Sequence, residues 1–421
     1  MIRRAEIRSG DPKSVTPARI RWRVARANPT HLMTWLLLPA LTLCLIAIWI
    51  VLPPFHAGLL PFAVGAPEIS PWLLLASLGV CAMTFNTSAV MPAARAAFAL
   101  AIVAALLCAY PLVRSPFALA AFDRAMEEAL GRDYLEQIPP ATRAGLRTHA
   151  LSPLDFVRGI ARVDMLVRRG VEFARPDGVA LTADVYRPPG AGPHPVLLQL
   201  YGGAWQRGAP DDNASFASWF ASQGYVVVAI DYRHAPAATW PAQLQDVRTA
   251  LGWILAHSGE YEADPSRIAL VGRSAGAQLA LVAAYQAGPQ LVRGVVSYYG
   301  PTDLIEGWRQ PPRPDPLDVR SILETYLRGT PDTAAARYRD ASPVTYATAR
   351  VPPSLLIYGA RDHIVAPRFG RELDDRLRKA GARSVLLEIP WAEHAFDAVP
   401  NGVSGQIALY YTERFLAWAL R

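Results

Sequence analysis

Three residues far apart in the chain, Ser274, Asp362 and His394, have the types and the order for acyl transfer onto a serine. A serine hydroxyl is a poor nucleophile near neutral pH. It needs a base to take its proton, and the base needs an acid to orient it. Ser274 lies in Gly272-Arg273-Ser274-Ala275-Gly276, a G-x-S-x-G. An apolar, β-prone run, Ile268 to Val271, precedes it, and a helix-prone run, Gln278 to Tyr285, comes after it. Strand, sharp turn and helix together make a nucleophile elbow, which stands the hydroxyl clear of the sheet. The competing reading is an ordinary glycine-rich turn.

Asp362 comes after the expected strand Ser354–Tyr358, and His394 after the expected strand Val385–Ile389. Both therefore sit beyond strand C-terminal ends, in the chain order Ser, Asp, His that suits this geometry. His363 is a rival base, too close in sequence to Asp362 to be its obvious partner. Asp397 is a rival acid, but it lies past His394. His149, His194, His234 and His257 precede the serine and read as surface or structural. Asp231, at the end of its strand, reads as structural.

The transition state also needs donors for a developing oxyanion. Tyr201-Gly202-Gly203-Ala204-Trp205 comes directly after the expected strand Val196–Leu200. Small residues at 202 to 204 let backbone N–H groups face a reacting carbonyl. The amide of Ala275 would be the second donor. The competing reading is a tight glycine turn.

The elements that must carry these groups emerge from the period of the apolar residues. From Val171 onward, short β-rich runs alternate with helical ones. Expected strands are Val171–Ala174, Leu181–Tyr186, Val196–Leu200, Tyr225–Ile230, Ile268–Val271, Gly294–Tyr298, Ser354–Tyr358 and Val385–Ile389. Expected helices include Asn213–Ser222, Ala242–His257, Ala277–Ala287, Pro367–Ala380 and Ile407–Leu420. The first two strands flank Asp177-Gly178 and read as a hairpin. The later strands are apolar throughout, as parallel strands covered on both faces should be. The expectation is a doubly wound α/β domain over residues 169–421. Residues 303–350 interrupt the alternation with several prolines and a helix-prone run from Val319 to Leu327. They would form a lid or cap, or a plain surface excursion.

The 421-residue chain is 52% hydrophobic with a net charge of +7. Residues 1–30 hold eight Arg or Lys against Glu6 and Asp11, hence six of the seven net positive charges. A nucleic-acid footprint would place that excess on the folded domain instead. Here it adjoins residues 31–113, where three uncharged runs read as membrane spans: Leu32–Leu52, Pro71–Val90 and Ala96–Val113. Trp35, Trp49, Trp72 and Tyr110 lie near their ends, as interfacial aromatics do. The alternatives are buried core helices or, for the first run, a cleaved signal peptide. The positive-inside rule keeps the basic arm in the cytoplasm, and three spans then leave the rest on the non-cytoplasmic side. Should the third span fail to insert, that side reverses. Residues 114–168 read as a linker or a piece of cap. Ser115-Pro116 looks like a helix start, Pro139-Pro140 a stop, and Ser152-Pro153 a second start. The three cysteines, Cys44, Cys81 and Cys108, form neither a disulfide framework nor a metal spacing. No cofactor and no metal site is implied.

These motifs together resemble the α/β-hydrolase superfamily. The nearest likeness is to its esterase/lipase group, which includes feruloyl-esterase-like and hormone-sensitive-lipase-like carboxylesterases. The likeness covers about residues 170–421. It rests on Ala183-Asp184-Val185-Tyr186-Arg187-Pro188, Gly202-Gly203-Ala204-Trp205 and Asp231-Tyr232-Arg233-His234-Ala235-Pro236. It rests also on Gly272–Gly276, Tyr299-Gly300-Pro301-Thr302-Asp303, Gly359–Asp362 and His394. Carried over, Ser274 is the nucleophile, Asp362 the acid and His394 the base, with Gly203, Ala204 and Ala275 as oxyanion donors. Two positions depart from the group. Tyr201 stands where a histidine usually opens the oxyanion loop. Arg273 replaces an acidic residue common before the serine, which favours the feruloyl-esterase-like side. The membrane segment lies outside the resemblance. The resemblance and the apolar runs together imply an ester hydrolase tethered to a lipid bilayer, acting on a small-molecule or lipid ester. A peptidase or amidase on the same fold, and an inert binding domain, remain alternatives.

Overall fold

The computed structural model describes residues 35–89, 91–160 and 164–421. The basic arm and the start of the first expected span lie outside the described residues.

Eight strands form one sheet in the order β1-β2-β4-β3-β5-β6-β7-β8. They are β1 (Leu166–Ala174), β2 (Leu181–Arg187), β3 (His194–Leu200) and β4 (Val226–Ile230), then β5 (Ala263–Arg273), β6 (Val292–Tyr298), β7 (Ser354–Gly359) and β8 (Ser384–Ile389). The β1 and β2 strands are an antiparallel hairpin, turned by Asp177 and Gly178 at φ of 51° and 79°. The β2 and β4 strands are also antiparallel, and β3 to β8 are parallel. All five residues of β4 are buried, as are the last six of β5. Helices cover both faces, so these strands carry no polar alternation.

The strand order decides where a site can form. From β3 the chain steps outward to β4, then returns past β3 to β5. Successive connections leave in opposite directions there, and a crevice opens beyond the carboxyl ends of β3 and β5. The loops after those two strands are Tyr201–Trp205 and the turn at Ser274.

The N-terminal segment comprises α1 (Leu37–Ala47), α2 (Leu60–Glu68), α3 (Ser70–Ser88) and α4 (Pro92–Leu130). Its packing inverts that of a water-soluble bundle. The buried stripe of α4 begins with Ala94, Ala97, Ala101, Ala104 and Cys108, set against Leu73, Ser77, Val80 and Thr84 of α3. The large apolar side chains Leu38, Leu45, Leu75, Phe85, Leu106 and Val113 face outward. By length and composition, α4 alone can cross a membrane. A second crossing arises if Ala57–Glu68 and Ser70–Ser88, bent by 77°, act as one span. The first expected span is represented by a shorter apolar helix, Leu37–Ile50. One or two candidate spans thus stand among the described residues, where three were expected.

Two expected helix boundaries are overturned. Ser115-Pro116 does not start a helix, because α4 runs straight through it. Pro116 has no N–H for the Leu112 carbonyl, and the Ser115 hydroxyl donates to that oxygen instead at 2.8 Å. The helix ends not at Pro139-Pro140 but at Leu130, where Gly131 turns at φ 107°. Pro140 instead opens a short helix, Pro140–Gly145. Ser152 does cap Pro153–Arg158, accepting from the Asp155 N–H. The second half of α4 joins the core of the sheet domain through Ala118, Phe122, Met126 and Leu130. The Tyr411 hydroxyl donates to Asp123 Oδ1 at 2.8 Å.

Candidate active site

Ser274 occupies the turn between β5 and the helix Ala275–Ala287, at φ 51° and ψ −119°. A non-glycine residue rarely adopts this conformation, so the surrounding structure must hold it there. Two close approaches do so. A Cβ on Gly272 would come within 2.3 Å of the Gly276 carbonyl oxygen. One on Gly276 would come within 2.2 Å of the Tyr201 carbonyl oxygen. Glycine at both positions lets β5, the helix after it and the end of β3 crowd together. The Ser274 N–H donates to the Tyr298 carbonyl at 2.9 Å.

The structure brings Ser274, His394 and Asp362 into one hydrogen-bonded line. Ser274 Oγ is 3.0 Å from His394 Nε2, and His394 Nδ1 is 2.8 Å from Asp362 Oδ2. Asp362 Oδ1 accepts the N–H groups of Ile364 and Val365 at 2.8 and 2.7 Å, which fixes the carboxylate in its turn. Both Asp362 and His394 are buried. The two rivals are engaged elsewhere. His363 Nδ1 meets Glu393 Oε2 at 2.6 Å, and its backbone N–H donates to the same carboxylate. Asp397 pairs with Arg273.

Gly202, Gly203, Ala204 and Ala275 line the same cavity as Ser274 and His394. Gly203, Ala204 and Trp205 all have positive φ, so the loop after β3 curls back toward the nucleophile. Its two ends are pinned. Trp205 Nε1 donates to Gln278 Oε1 at 2.9 Å, and its ring stacks on Tyr326 at 4.1 Å. At the other end the Tyr201 ring stacks on Tyr232, and its hydroxyl meets Asp231 and His234 Nε2. Burial, with Tyr232 and the Asp231 carboxylate beside it, pushes the Tyr201 phenol upward. It stays protonated and donates to Asp231. Asp231 is thus structural, as expected, and so is His234.

Sequence reasoning missed a buried network behind His394. Tyr299 lies against the imidazole, with ring centroids 4.5 Å apart, and donates to Asp397. Arg273 Nε donates to Asp397 Oδ2 at 2.5 Å, between the rings of Phe216 and Tyr298 at 4.4 and 4.8 Å. Burial works against the Arg273 charge, but Asp397 and the two tyrosines more than offset it, so the guanidinium stays charged. Burial, then Asp397, pushes the Tyr299 phenol well up, so it too stays a donor. No local pattern marks these residues as partners, since they come from β5, the end of β6 and the turn after β8. Asp397→Ala should leave Arg273 buried without a counter-charge. The expected cost is about 3–5 kcal/mol. It would be read as a lower thermal midpoint of the purified protein.

The cavity has a volume of about 590 Å³. The 303–350 segment supplies one wall through Leu304, Leu317, Val319, Ile322 and Leu323. Its helix Val319–Leu327 is capped by the Asp318 side chain at the Ser321 N–H. Among the described residues, no group of three or more His, Cys, Asp or Glu is placed to hold a metal ion.

Residues 183–377 match a protein-family model described as BD-FAE. The matched span contains Gly202 to Ala204, Ser274 and Asp362, and ends before His394. Over 257 residues the chain is 35% identical to the "Probable carboxylic ester hydrolase LipM" of Mycobacterium tuberculosis, covering 57% of this chain and 58% of that protein. Over 231 residues it is 34% identical to "Esterase LipC" of the same organism, covering 51% of this chain and 56% of that one. The chain therefore spans less than two thirds of the length of these curated relatives. Among solved structures, "Bacterial Heroin Esterase" superposes with a TM-score of 0.54 at 23% identity, over 68% of this chain and 99% of that one. The Pyrobaculum calidifontis esterase gives 0.53 at 22% identity, over 66% and 98%. These structures share the α/β-hydrolase fold with this chain.

Proposed function

We propose that this chain is a membrane-anchored serine hydrolase that cleaves carboxylic esters through an acyl-enzyme. The observation that carries the reading is the Ser274–His394–Asp362 line opening onto an apolar cavity beside the Gly202–Ala204 loop. The likeness to proteins named as esterases supports the same chemistry. His394 Nε2 takes the Ser274 proton as Oγ attacks the ester carbonyl. The carbonyl π electrons move onto oxygen, which the amides of Gly203, Ala204 and Ala275 stabilise. Asp362 holds the imidazolium. The carbonyl re-forms, the alkoxide leaves and takes the proton from His394, and Ser274 is acylated. Water, deprotonated by His394, then attacks the acyl-enzyme. The acid departs and Ser274 regains its proton.

Anchoring is supported by α4 and its neighbours. Only 28% of the most apolar stretch of α4 is buried, whereas the core helix of a soluble domain would be mostly buried. Small residues toward neighbouring helices and large apolar ones outward suit a lipid solvent. With the basic arm cytoplasmic, three crossings put the hydrolase domain on the non-cytoplasmic side and two put it in the cytoplasm.

One experiment tests both halves. Membranes from cells expressing the full chain are washed with alkaline carbonate and treated with a fluorescent fluorophosphonate. A labelled band in the pellet, absent from Ser274→Ala, is expected. Label confined to the supernatant would remove the anchor, and no label in either fraction would remove the serine chemistry. Parallel ester and amide substrates separate an esterase from a peptidase.

A further inference from the structure

Leu60, from the N-terminal segment, lines the same cavity as Ser274 and His394. It is not a stray contact. Residues 51–68 are fastened to the turn that carries Asp362 and to the helix that comes after the His394 loop. Before Leu60, the Arg361 guanidinium donates to the Val51 carbonyl. Arg361 directly precedes Asp362. After Leu60, the Glu68 carboxylate accepts the Ser404 N–H at 2.7 Å and the Gly405 N–H at 3.4 Å. Those amides open the helix Val403–Ala419, which comes after the His394 loop. Glu68 is fully buried, and a Cβ on Gly402 would strike it. Clamped at both ends, the start of α2 is held as a fixed wall of the site. Leu304, Leu323, Val365 and Phe369, all buried, line the same cavity.

This wall has consequences for what fits. A sugar or peptide brings hydrogen-bonding groups that apolar walls leave unsatisfied, at a cost in binding. An aliphatic chain brings none. Resting on the hydrolase reading above, we propose that the preferred substrate is an ester with a long aliphatic chain, and that Leu60 is a specificity-determining residue for it. The N-terminal segment is then part of the substrate pocket as well as an anchor.

The test uses the full chain in phosphatidylcholine vesicles with p-nitrophenyl acetate and dodecanoate. Wild-type kcat/KM should be about tenfold or more higher for dodecanoate. Leu60→Trp, which fills the cavity, should lower the dodecanoate-to-acetate ratio about tenfold. Fluorophosphonate labelling of the variant reports a folded site. Leu60→Ser adds no bulk and should lower the ratio about threefold, so it serves if the tryptophan variant does not label. A wild-type preference for acetate, or an unchanged ratio in a labelled variant, overturns the proposal while leaving the hydrolase intact. No hydrolysis of either ester by wild type overturns both.

Discussion

Ser274→Ala should hydrolyse short aryl esters about 10⁴- to 10⁶-fold more slowly than the unaltered chain, if serine proteases are a guide. The substitution removes one oxygen and leaves the backbone in place. Ser274 already holds its strained turn through Gly272 and Gly276, so alanine asks nothing new of the fold. Its side chain is also smaller than the one it replaces. On the proposed mechanism, the variant keeps the cavity for the ester and the amides that would polarise its carbonyl. Those would support a slow attack by water, with His394 still present to assist. A single-turnover burst of p-nitrophenol, expected from acylation of Ser274, should vanish as well. A Ser274→Ala variant turning over at the original rate would end the proposed mechanism, since no other hydroxyl is hydrogen-bonded to His394 among the described residues.

Asp362→Asn should lower kcat by about 10⁴, judged from the corresponding change in a serine protease, with KM little altered. The geometry gives the reason. Asp362 Oδ1 accepts two backbone N–H groups, so an asparagine keeps its oxygen there. Its amide nitrogen then faces His394 Nδ1 and donates to it. That forces the imidazole proton onto Nε2, which points at Ser274 and can no longer take its proton. The carboxylate that stabilised the imidazolium is lost too. Steady-state kinetics on an acetyl ester would measure both parameters. His363→Ala is the internal control, because His363 is bound to Glu393 and not to Ser274. Should that variant fall as far as Asp362→Asn, the base and acid would have to be reassigned.

The parts of this architecture that were legible in the sequence are those with a local signature. Eight apolar runs separated by helical ones correspond to eight strands, with edges moved by a few residues. Val319–Leu327 is a helix as its composition predicts, since Asp318 caps it within its own turn. The crowding around Ser274 was written in two glycines flanking it. Ser115-Pro116 misled because proline at a helix start and proline inside a long apolar helix look alike in one dimension. The difference lies in who satisfies the Leu112 carbonyl. Gly131, not the later prolines, ends that helix, since only a positive φ reverses the chain there. The contacts of Asp397 with Tyr299 and Arg273, and the place of Leu60 in the cavity, left no trace because each depends on a partner dozens to hundreds of positions away. No period or spacing encodes such a meeting. It depends on the strand order and on how α2 folds back against the turn after His394.

Because α4 shares its hydrophobic core with the sheet, this enzyme-like half has no clean seam at which to cut. A truncation starting near Arg114 would sever a continuous helix. It would also bare the Ser404 and Gly405 amides that Glu68 now occupies, and open one flank of the reaction chamber to water. If the proposed anchoring holds, a soluble derivative would more sensibly be made by repainting the outward leucines and phenylalanines of the first helices with polar residues while retaining them as scaffold.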